Sequence, residues 1–496
     1  MSQKSLKEQR LQRIKNLGSL VERGFEAYPY KFEVTDKAAL LQEKYKDSVA
    51  GDEFEDVVSI AGRVMLLRMM GKVSFATIED DSGRIQVYFQ KDILEKYNAL
   101  KKIDLGDYIE VKGNIFRTQK GELTIKAHDF RPLVKSLRPL PDKYHGLSDK
   151  EQRYRQRYLD LMVNPDVKRA FILRSKTISF IRRYLEDLGF MEVETPVLQS
   201  VPGGAEARPF KTHHNALNHD YHMRISLELY LKRLIVGGFN QVYEMGRLFR
   251  NEGVSPKHNP EFTMLELYWV GKDYIDILEL VENMYSELIK TLTGSYKVDY
   301  QGTILDFSTP WARVDYTTEI AKKAGIDFDM LDEEKLRAWV AENYPKKGGD
   351  EQALAEQPIN QIYNKLYDIY VEPFLEQPTF VMDHPQAISP LAKKHRSREG
   401  LVERFEPVCM GMELGNAFSE LNDPLDQRER FELQESLRDK GDDEQPPLDE
   451  DFLTALEFGM PPTGGLGLGI DRIAMIVADV PSIRDVILFP LLKPES

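Results

Sequence analysis

The chain has 496 residues, 42% hydrophobic and 30% charged, with a formal net charge of −14; this is the composition of a soluble globular protein with large buried cores and ~3 domain-sized units. A single cysteine, Cys409, excludes a disulfide framework and a cysteine-based zinc cluster and fits a reducing, cytoplasmic setting. No apolar run approaches the ~18 residues of a membrane span, so no membrane association is expected, and MSQKSLKEQRLQRIKNLG lacks the apolar core of a secretory signal.

Residues 1–56 are expected to form a helical extension, with amphipathic spacing and few breakers before Pro29. Lys4, Lys7, Arg10, Arg13 and Lys15 make its start basic, whereas GDDEQPPLDED (441–451) is acidic. Net acidity therefore does not exclude nucleic acid, because a local basic face is enough to bind phosphate.

Residues 57–145 alternate apolar and polar side chains, with turn signals at Gly71–Lys72 and Asp81–Gly83. Short strands with glycine turns at this length predict a five-stranded OB-type β-barrel. Such barrels bind single-stranded nucleic acid by stacking bases on aromatic side chains. Phe75 and Gln86 are candidates to stack on and hydrogen-bond to a base, although alternation leaves open that Phe75 is barrel core. Residues 146–165 are expected to be a linker; Arg153, Arg155 and Arg157 there suggest either a polyanion neighbour or a charged helix start.

From 166 to 496 an α+β unit is expected. VKRAFILRSKTISFIRRYLEDLG is an amphipathic helix closed by Gly189, and FMEVETPVL is a strand ending at Pro196. Strands and helices then mix without a regular βαβ repeat, which predicts a mixed, mainly antiparallel sheet flanked by helices. A helical insertion is expected around 325–400.

QVYEMGRLFR (241–250) and EFTMLELYW (261–269) are expected to form a hairpin. Period-2 alternation puts Phe262, Met264, Glu266 and Tyr268 on one face, a mixture suited to a pocket wall. Arg250, at the end of the first strand, can grip a phosphate through two hydrogen bonds, and His258 can reach an outer phosphate. GGLGLGIDRIAMIV (464–477) places a glycine strand before a helix carrying Arg472; it is either one wall of an ATP site or a tightly packed strand–helix corner. ERFEPVCMGMELGNAFSEL (403–421) carries Glu406, Glu413 and Glu420 in a half-apolar strand segment, where carboxylates are costly unless they meet a cation. Two of them can hold Mg²⁺ against phosphate oxygens. Asn416, Phe418 and Glu420 share one parity and Glu413 does not; a bulge near Gly415 could bring them together, which alternation alone does not show. In RISLELYLKRLIVGGF (224–239) Glu228 is embedded in an apolar helical pattern, and SVPGGAEARPF (200–210) supplies a glycine loop.

FMEVETPVL, FRNEGVSPKHNPEFTMLELY and GGLGLGIDR resemble, in that order, the three signature motifs of class II aminoacyl-tRNA synthetases. With PGGAEARPF, LELYLKRL, ELGNAFSEL and IRDVILFP (483–490), the whole chain resembles the bacterial class II lysyl-tRNA synthetase family. The resemblance implies lysine activation by ATP with Mg²⁺, transfer to tRNA(Lys), and a homodimer joined through the first motif. It implies that Arg250 binds the α-phosphate and Arg472 the γ-phosphate, that Glu252, His258, Asn259 and Gly469 position ATP, and that Phe262 stacks on adenine opposite Arg472. It gives Glu406 and Glu413 to Mg²⁺, and Glu228, Glu266, Tyr268, Asn416, Phe418, Glu420 and Gly204 to lysine. Arg68, Phe75, Gln86 and Glu122 are implied to meet a U-rich anticodon. Glu206 departs from the small residue expected in the entrance loop. In-line attack of the lysine carboxylate on phosphorus needs positioning and charge neutralisation, and no Ser–His or Cys–His nucleophile pair is expected. A truncated relative acting on a translation factor would lack the barrel, and a non-catalytic paralogue would be expected to lose one of the arginines or Mg²⁺ carboxylates.

Overall fold

The computed structural model describes residues 5–26, 28–141, 147, 149–345, 353–439 and 445–495. Lys4, part of the expected linker and residues 441–444 of the acidic run lie outside the described residues. The chain divides into units 1–148 and 149–496.

In the first unit the expected helical extension is two helices, Leu6–Glu22 and Ala38–Lys44. Ser5 and Glu8 form a capping box at the start of the first, and Gly24, at φ +80°, turns the chain out of it. Arg13 is buried and donates to the carbonyls of Ser136 (2.8 Å) and Arg138 (3.0 Å), so it braces the helix, while Lys7, Arg10 and Lys15 remain exposed. Strands Glu53–Met70, Val73–Glu79, Arg84–Gln90, Tyr108–Arg117 and Leu123–Val134 form the barrel. They pair antiparallel, except for a short parallel match of Gln86–Tyr88 with Thr124–Lys126. Val64, Ile78, Val87, Phe89, Val111 and Ile125 fill its interior.

The second unit opens with helices Lys150–Arg155 and Arg157–Val163. The arginine cluster there has protein partners, contrary to a polyanion-facing reading. Arg157 is fully buried, pairs with Asp160 at 2.6 Å, and donates to the carbonyls of Leu488 and Arg484. Arg153 also pairs with Asp160, and Arg155 with Glu151. Helix Pro165–Asp187 follows, with proline in its first turn and Gly189 at φ +90° after it. The expected strand to Pro196 shrinks to Met191–Glu192 and Leu198–Gln199; Pro196 lacks the N–H that a longer ladder would need.

The main sheet runs Ala312–Asp315, Thr379–Met382, Arg404–Cys409, Gly415–Ser419, Thr463–Gly469, Glu261–Val270, Gln241–Phe249, Met191–Glu192. Only the two outermost pairings are parallel, so the sheet is mixed and mainly antiparallel. Helices Pro165–Asp187, Tyr274–Thr293 and Ile470–Ala478 cover its apolar face through Ile181, Leu185, Val281, Met284, Ile473 and Ile476. Helices Tyr316–Ala324, Glu333–Asn343 and Ile359–Tyr370 make a separate core with Ile320, Leu336, Val340, Ile362 and Leu366. This helical segment starts before the expected 325–400 insertion and ends earlier, because the apolar run Thr379–Met382 joins the main sheet.

Candidate active site

The hairpin forms as the alternation requires, in register from Gln241 opposite Trp269 to Phe249 opposite Glu261. Thr263, Leu265 and Leu267 are buried on one face. Phe262, Met264, Glu266 and Tyr268 line the other, facing a cleft of about 650 Å³. Strand Thr463–Gly469 sets Gly467 beside Glu266 and Gly465 beside Tyr268, and strand Gly415–Ser419 continues the floor with Asn416 and Phe418. The glycines serve side chains on adjacent strands: a Cβ on Gly465 would lie 1.7 Å from Glu420 Oε1 and 2.8 Å from the Tyr268 ring. The pairing of Arg404–Cys409 slips by one residue between Val408–Glu413 and Phe405–Ala417. That slip at Leu414 stands beside Gly415, where a bulge could reconcile the two parities, and it lets Glu413 join Asn416 and Phe418 in the cleft.

All sixteen catalytic-unit candidates line this one cleft: Arg250, Glu252, His258, Asn259, Phe262, Glu406, Glu413, Gly469, Arg472, Gly204, Glu228, Glu266, Tyr268, Asn416, Phe418 and Glu420. Glu206 lines it too.

One end is cationic. The Arg250 guanidinium lies 5.2 Å from the Phe262 ring centroid, over the ring implied for adenine. Arg472 donates to the Glu413 carbonyl (2.5 Å) and carboxylate (3.3 Å) and meets His258 Nε2 at 3.3 Å. Burial, then Arg472, Lys257 and Arg250, hold His258 below the usual imidazole range. Asp471 anchors the arginine's helix, accepting from Thr263 N at 2.7 Å and from Arg174 at 2.7 and 3.0 Å. Ser255 Oγ lies 2.9 Å from His258 Nδ1, a Ser–His contact that sequence reading did not find. The serine hydroxyl also accepts from the backbone N–H groups of Lys257 and His258 at 3.2 and 3.1 Å, so it shapes the turn.

Glu406 and Glu413 are neighbouring carboxylates, each with an arginine. Burial raises Glu406, but Arg404 at 2.5 Å and His384 outweigh it and hold its carboxyl at about 2. Burial and the Glu406 charge push Glu413 upward against Arg472. Among the described residues no group of three or more His, Cys, Asp or Glu is arranged to hold a metal. Two carboxylates suit an ion whose remaining ligands are substrate oxygens and water.

The other end is acidic and closed. Glu266 is buried, accepting from Ser226 Oγ (3.1 Å) and Leu227 N (3.0 Å). Burial, then the charge of Glu228, push its carboxyl up to about 7. Glu228 and Glu420 are buried on either side of Lys232, which is wholly inaccessible. Burial works against the Lys232 ammonium, but the two carboxylates outweigh it and keep it protonated. Arg404 links the ends, bonding Asn416 Oδ1 at 2.9 Å and Glu406 at 2.5 Å.

Sequence reading missed Lys232, Ser226, His384 and Arg404. Lys232 had a local signal, four residues after Glu228 on an apolar helix; Arg404 lies two residues before Glu406 on one strand and Ser226 two before Glu228, whereas His384 comes from a separate segment. Cys409 is buried, as its lack of a partner thiol suggested, and burial pushes its thiol up to about 12.

In the barrel, Ser74, Ala76 and Ile78 point inward, which turns Phe75 to the outer surface. Arg68 pairs opposite Phe75, and Phe75 opposite Tyr88. Phe75 and Tyr88 ring centroids are 5.1 Å apart, and Tyr88 and Phe116 5.9 Å. Gln86 lies on the same outer face and donates to Thr124 Oγ1 at 2.9 Å. Glu122 is exposed in the turn before the last strand. Tyr88 and Phe116 extend the aromatic strip and were not singled out from the sequence.

Residues 149–493 match the family model described as tRNA synthetases class II (D, K and N), and residues 58–133 match the OB-fold nucleic acid binding domain. A lysine–tRNA ligase of Deinococcus radiodurans is 54% identical over 504 residues, covering 99% of this chain and 95% of the relative. Lysine–tRNA ligases of Prochlorococcus marinus and a Nostoc species are 49% and 48% identical, covering 99% and 100% of this chain and 97% and 89% of theirs.

Proposed function

This chain belongs to the class II tRNA synthetases, and we propose that its cleft performs lysine activation as follows. The enzyme joins L-lysine to ATP, giving lysyl-adenylate and pyrophosphate, and passes lysine to the 3′ end of tRNA(Lys). One observation carries the assignment of the cleft: buried Glu228, Glu266 and Glu420 adjoin Arg250 and Arg472 in a single cavity. Carboxylates shut away from water suit a substrate with two ammonium groups, because burial is repaid only when each charge is paired.

Glu228 and Glu266 face the two amino groups of lysine, with Glu420 beside them. Tyr268, Phe418, Asn416 and Gly204 shape the walls. Phe262 takes the adenine once Arg250 swings from its ring to the α-phosphate, where negative charge grows in the transition state. Arg472 and His258 hold the outer phosphates, and Glu252, Asn259 and Gly469 set the nucleotide's position. Glu406 and Glu413 would hold Mg²⁺, which when bound neutralises phosphate charge. The lysine carboxylate attacks the α-phosphorus directly, so Ser255 and His258 have no covalent role. On the barrel, Phe75, Tyr88 and Phe116 stack anticodon bases, with Gln86, Arg68 and Glu122 at their edges.

A homodimer accounts for apolar side chains left open around the first motif: Leu188, Met191, Val197 and Leu198 are 41%, 44%, 40% and 46% exposed. Sedimentation equilibrium of a Val197→Asp, Leu198→Asp variant is expected to show monomer where the parent sediments as dimer. No helix among the described residues is long and apolar enough to cross a membrane, and with one buried cysteine the cytoplasm is the compartment we assign.

ATP–pyrophosphate exchange without tRNA, run across the twenty amino acids, tests the reading. Exchange with lysine alone is expected. Exchange with another amino acid instead would overturn the pocket assignment, and none at all would overturn the catalytic reading.

A further inference from the structure

The acidic end of the cleft contains a lysine before any substrate arrives. Lys232 is on helix Glu228–Val236, four residues after Glu228, and is 0% exposed. Its ammonium lies 2.5 Å from Glu228 Oε1 and contacts Glu420 Oε2 across the pocket floor. Phe418 and Tyr268 lie over it, with ring centroids at 5.6 and 6.0 Å. The two carboxylates come from distant stretches of chain, one from the helix and one beyond strand Gly415–Ser419. Glu420 receives no conventional hydrogen bond at either carboxylate oxygen, so the Lys232 ammonium is its charge partner among the described residues. An alternative role as packing filler would call for an apolar side chain, since a buried ammonium costs free energy unless its geometry is used.

We propose that Lys232 is a specificity-determining positioning residue: a resident ammonium that clamps Glu228 to Glu420 and leaves the pocket with the net charge that only a two-ammonium substrate completes. When lysine is bound and all three carboxyls are ionised, Glu228, Glu266 and Glu420 bring three negative charges and Lys232 one positive, and the α- and ε-ammonium groups of lysine supply the other two. Burial already raises the carboxyls of Glu228 and Glu420 against the pull of Lys232; without that cation nothing would oppose it, and the pair, one of them holding a proton, would part. The substrate then meets a pocket of altered shape and charge, while the nucleotide end, held by Arg250 and Arg472, is undisturbed. This inference rests on the lysine-pocket reading above.

The test uses full-length Lys232→Met, which keeps the length and apolar stem, and Lys232→Ala, which opens a slot the size of n-propylammonium. Wild-type exchange with lysine is the control; its absence would sink the pocket reading itself. With the control in place, Lys232→Met is expected to raise the KM for lysine at least about tenfold, as loss of one partner from a buried charge pair does, with the KM for ATP unchanged. n-Propylammonium is expected to stimulate lysine-dependent exchange by Lys232→Ala at low concentration while only inhibiting wild type, and n-propanol should not stimulate it. An unmoved lysine KM, a parallel rise in both KM values, or equal rescue by propanol would each reduce Lys232 to packing and overturn the proposal. Loss of folded protein in both variants would do the same.

Discussion

The outer face of the barrel and the floor of the cleft both present aromatic and charged side chains on antiparallel strands, yet they are built on opposite principles. On the barrel, Phe75, Tyr88 and Gln86 project from regular ladders, half-buried and each with its own neighbour. In the cleft, Glu228, Glu266, Glu420 and Lys232 are buried together and act on one another's charge. Stacking surfaces of the first kind contribute in separate increments. Coupled buried charges fail as a group, and their losses are not additive. The difference teaches where a substitution is graded and where it is decisive.

Arg250→Ala should have the largest effect. Removing a charge donor aimed at the transition state costs about 2.7–4 kcal/mol, so exchange should fall by about 10²–10³-fold. Near-normal exchange would refute the role given to this arginine and with it the contrast between cleft and barrel. Gly465→Ala should follow. Its Cβ would meet Glu420 Oε1 at 1.7 Å and Tyr268 at 2.8 Å, and overpacking of this kind costs about 1–3 kcal/mol, occasionally more. The lysine KM should rise while the ATP KM holds; equal rises would mean the two ends of the cleft are not separable. Phe75→Ala should cost tRNA charging about 1–3 kcal/mol of stacking and leave exchange alone. A matching loss in exchange would deny the barrel its independence.

The mildest effect is expected from pH. Glu266, pushed up to about 7 by burial and by Glu228, gains a proton below that value and ceases to attract an ammonium. The KM for lysine should therefore rise as pH falls through 7, by about tenfold per unit once the proton is bound, and Glu266→Gln should flatten that profile. A flat wild-type profile would place the titration elsewhere. The sign for stability is opposite: a raised carboxyl binds its proton more tightly in the folded state, so this group's contribution to stability is lost as pH rises from the ordinary carboxyl range to about 7.

Much of the molecule was legible in one dimension because periodicity and glycine placement are local. The hairpin face of Phe262, Met264, Glu266 and Tyr268 followed from alternation, and the barrel from short strands between turns. Residues in signature motifs reached one cleft together, as the resemblance implied. Legibility failed where partners were remote. Arg13 and Arg157 looked like free charge and are braces, because their acceptors lie at Ser136, Arg138, Leu488 and Arg484. The insertion boundary failed because Thr379–Met382 is too short a strand to announce itself.

By itself, then, the order of residues determined the strand alternation, the helix end at Gly189, the motifs and the chemistry they imply, since these depend on neighbours a few positions apart. Only the tertiary structure decided that Phe75 faces outward, that a one-residue slip at Leu414 brings Glu413 into the cleft, and that Lys232 joins Glu228 to Glu420. Burial and the pairing of charges are properties of space, and a carboxylate's behaviour follows from which cation the fold sets against it.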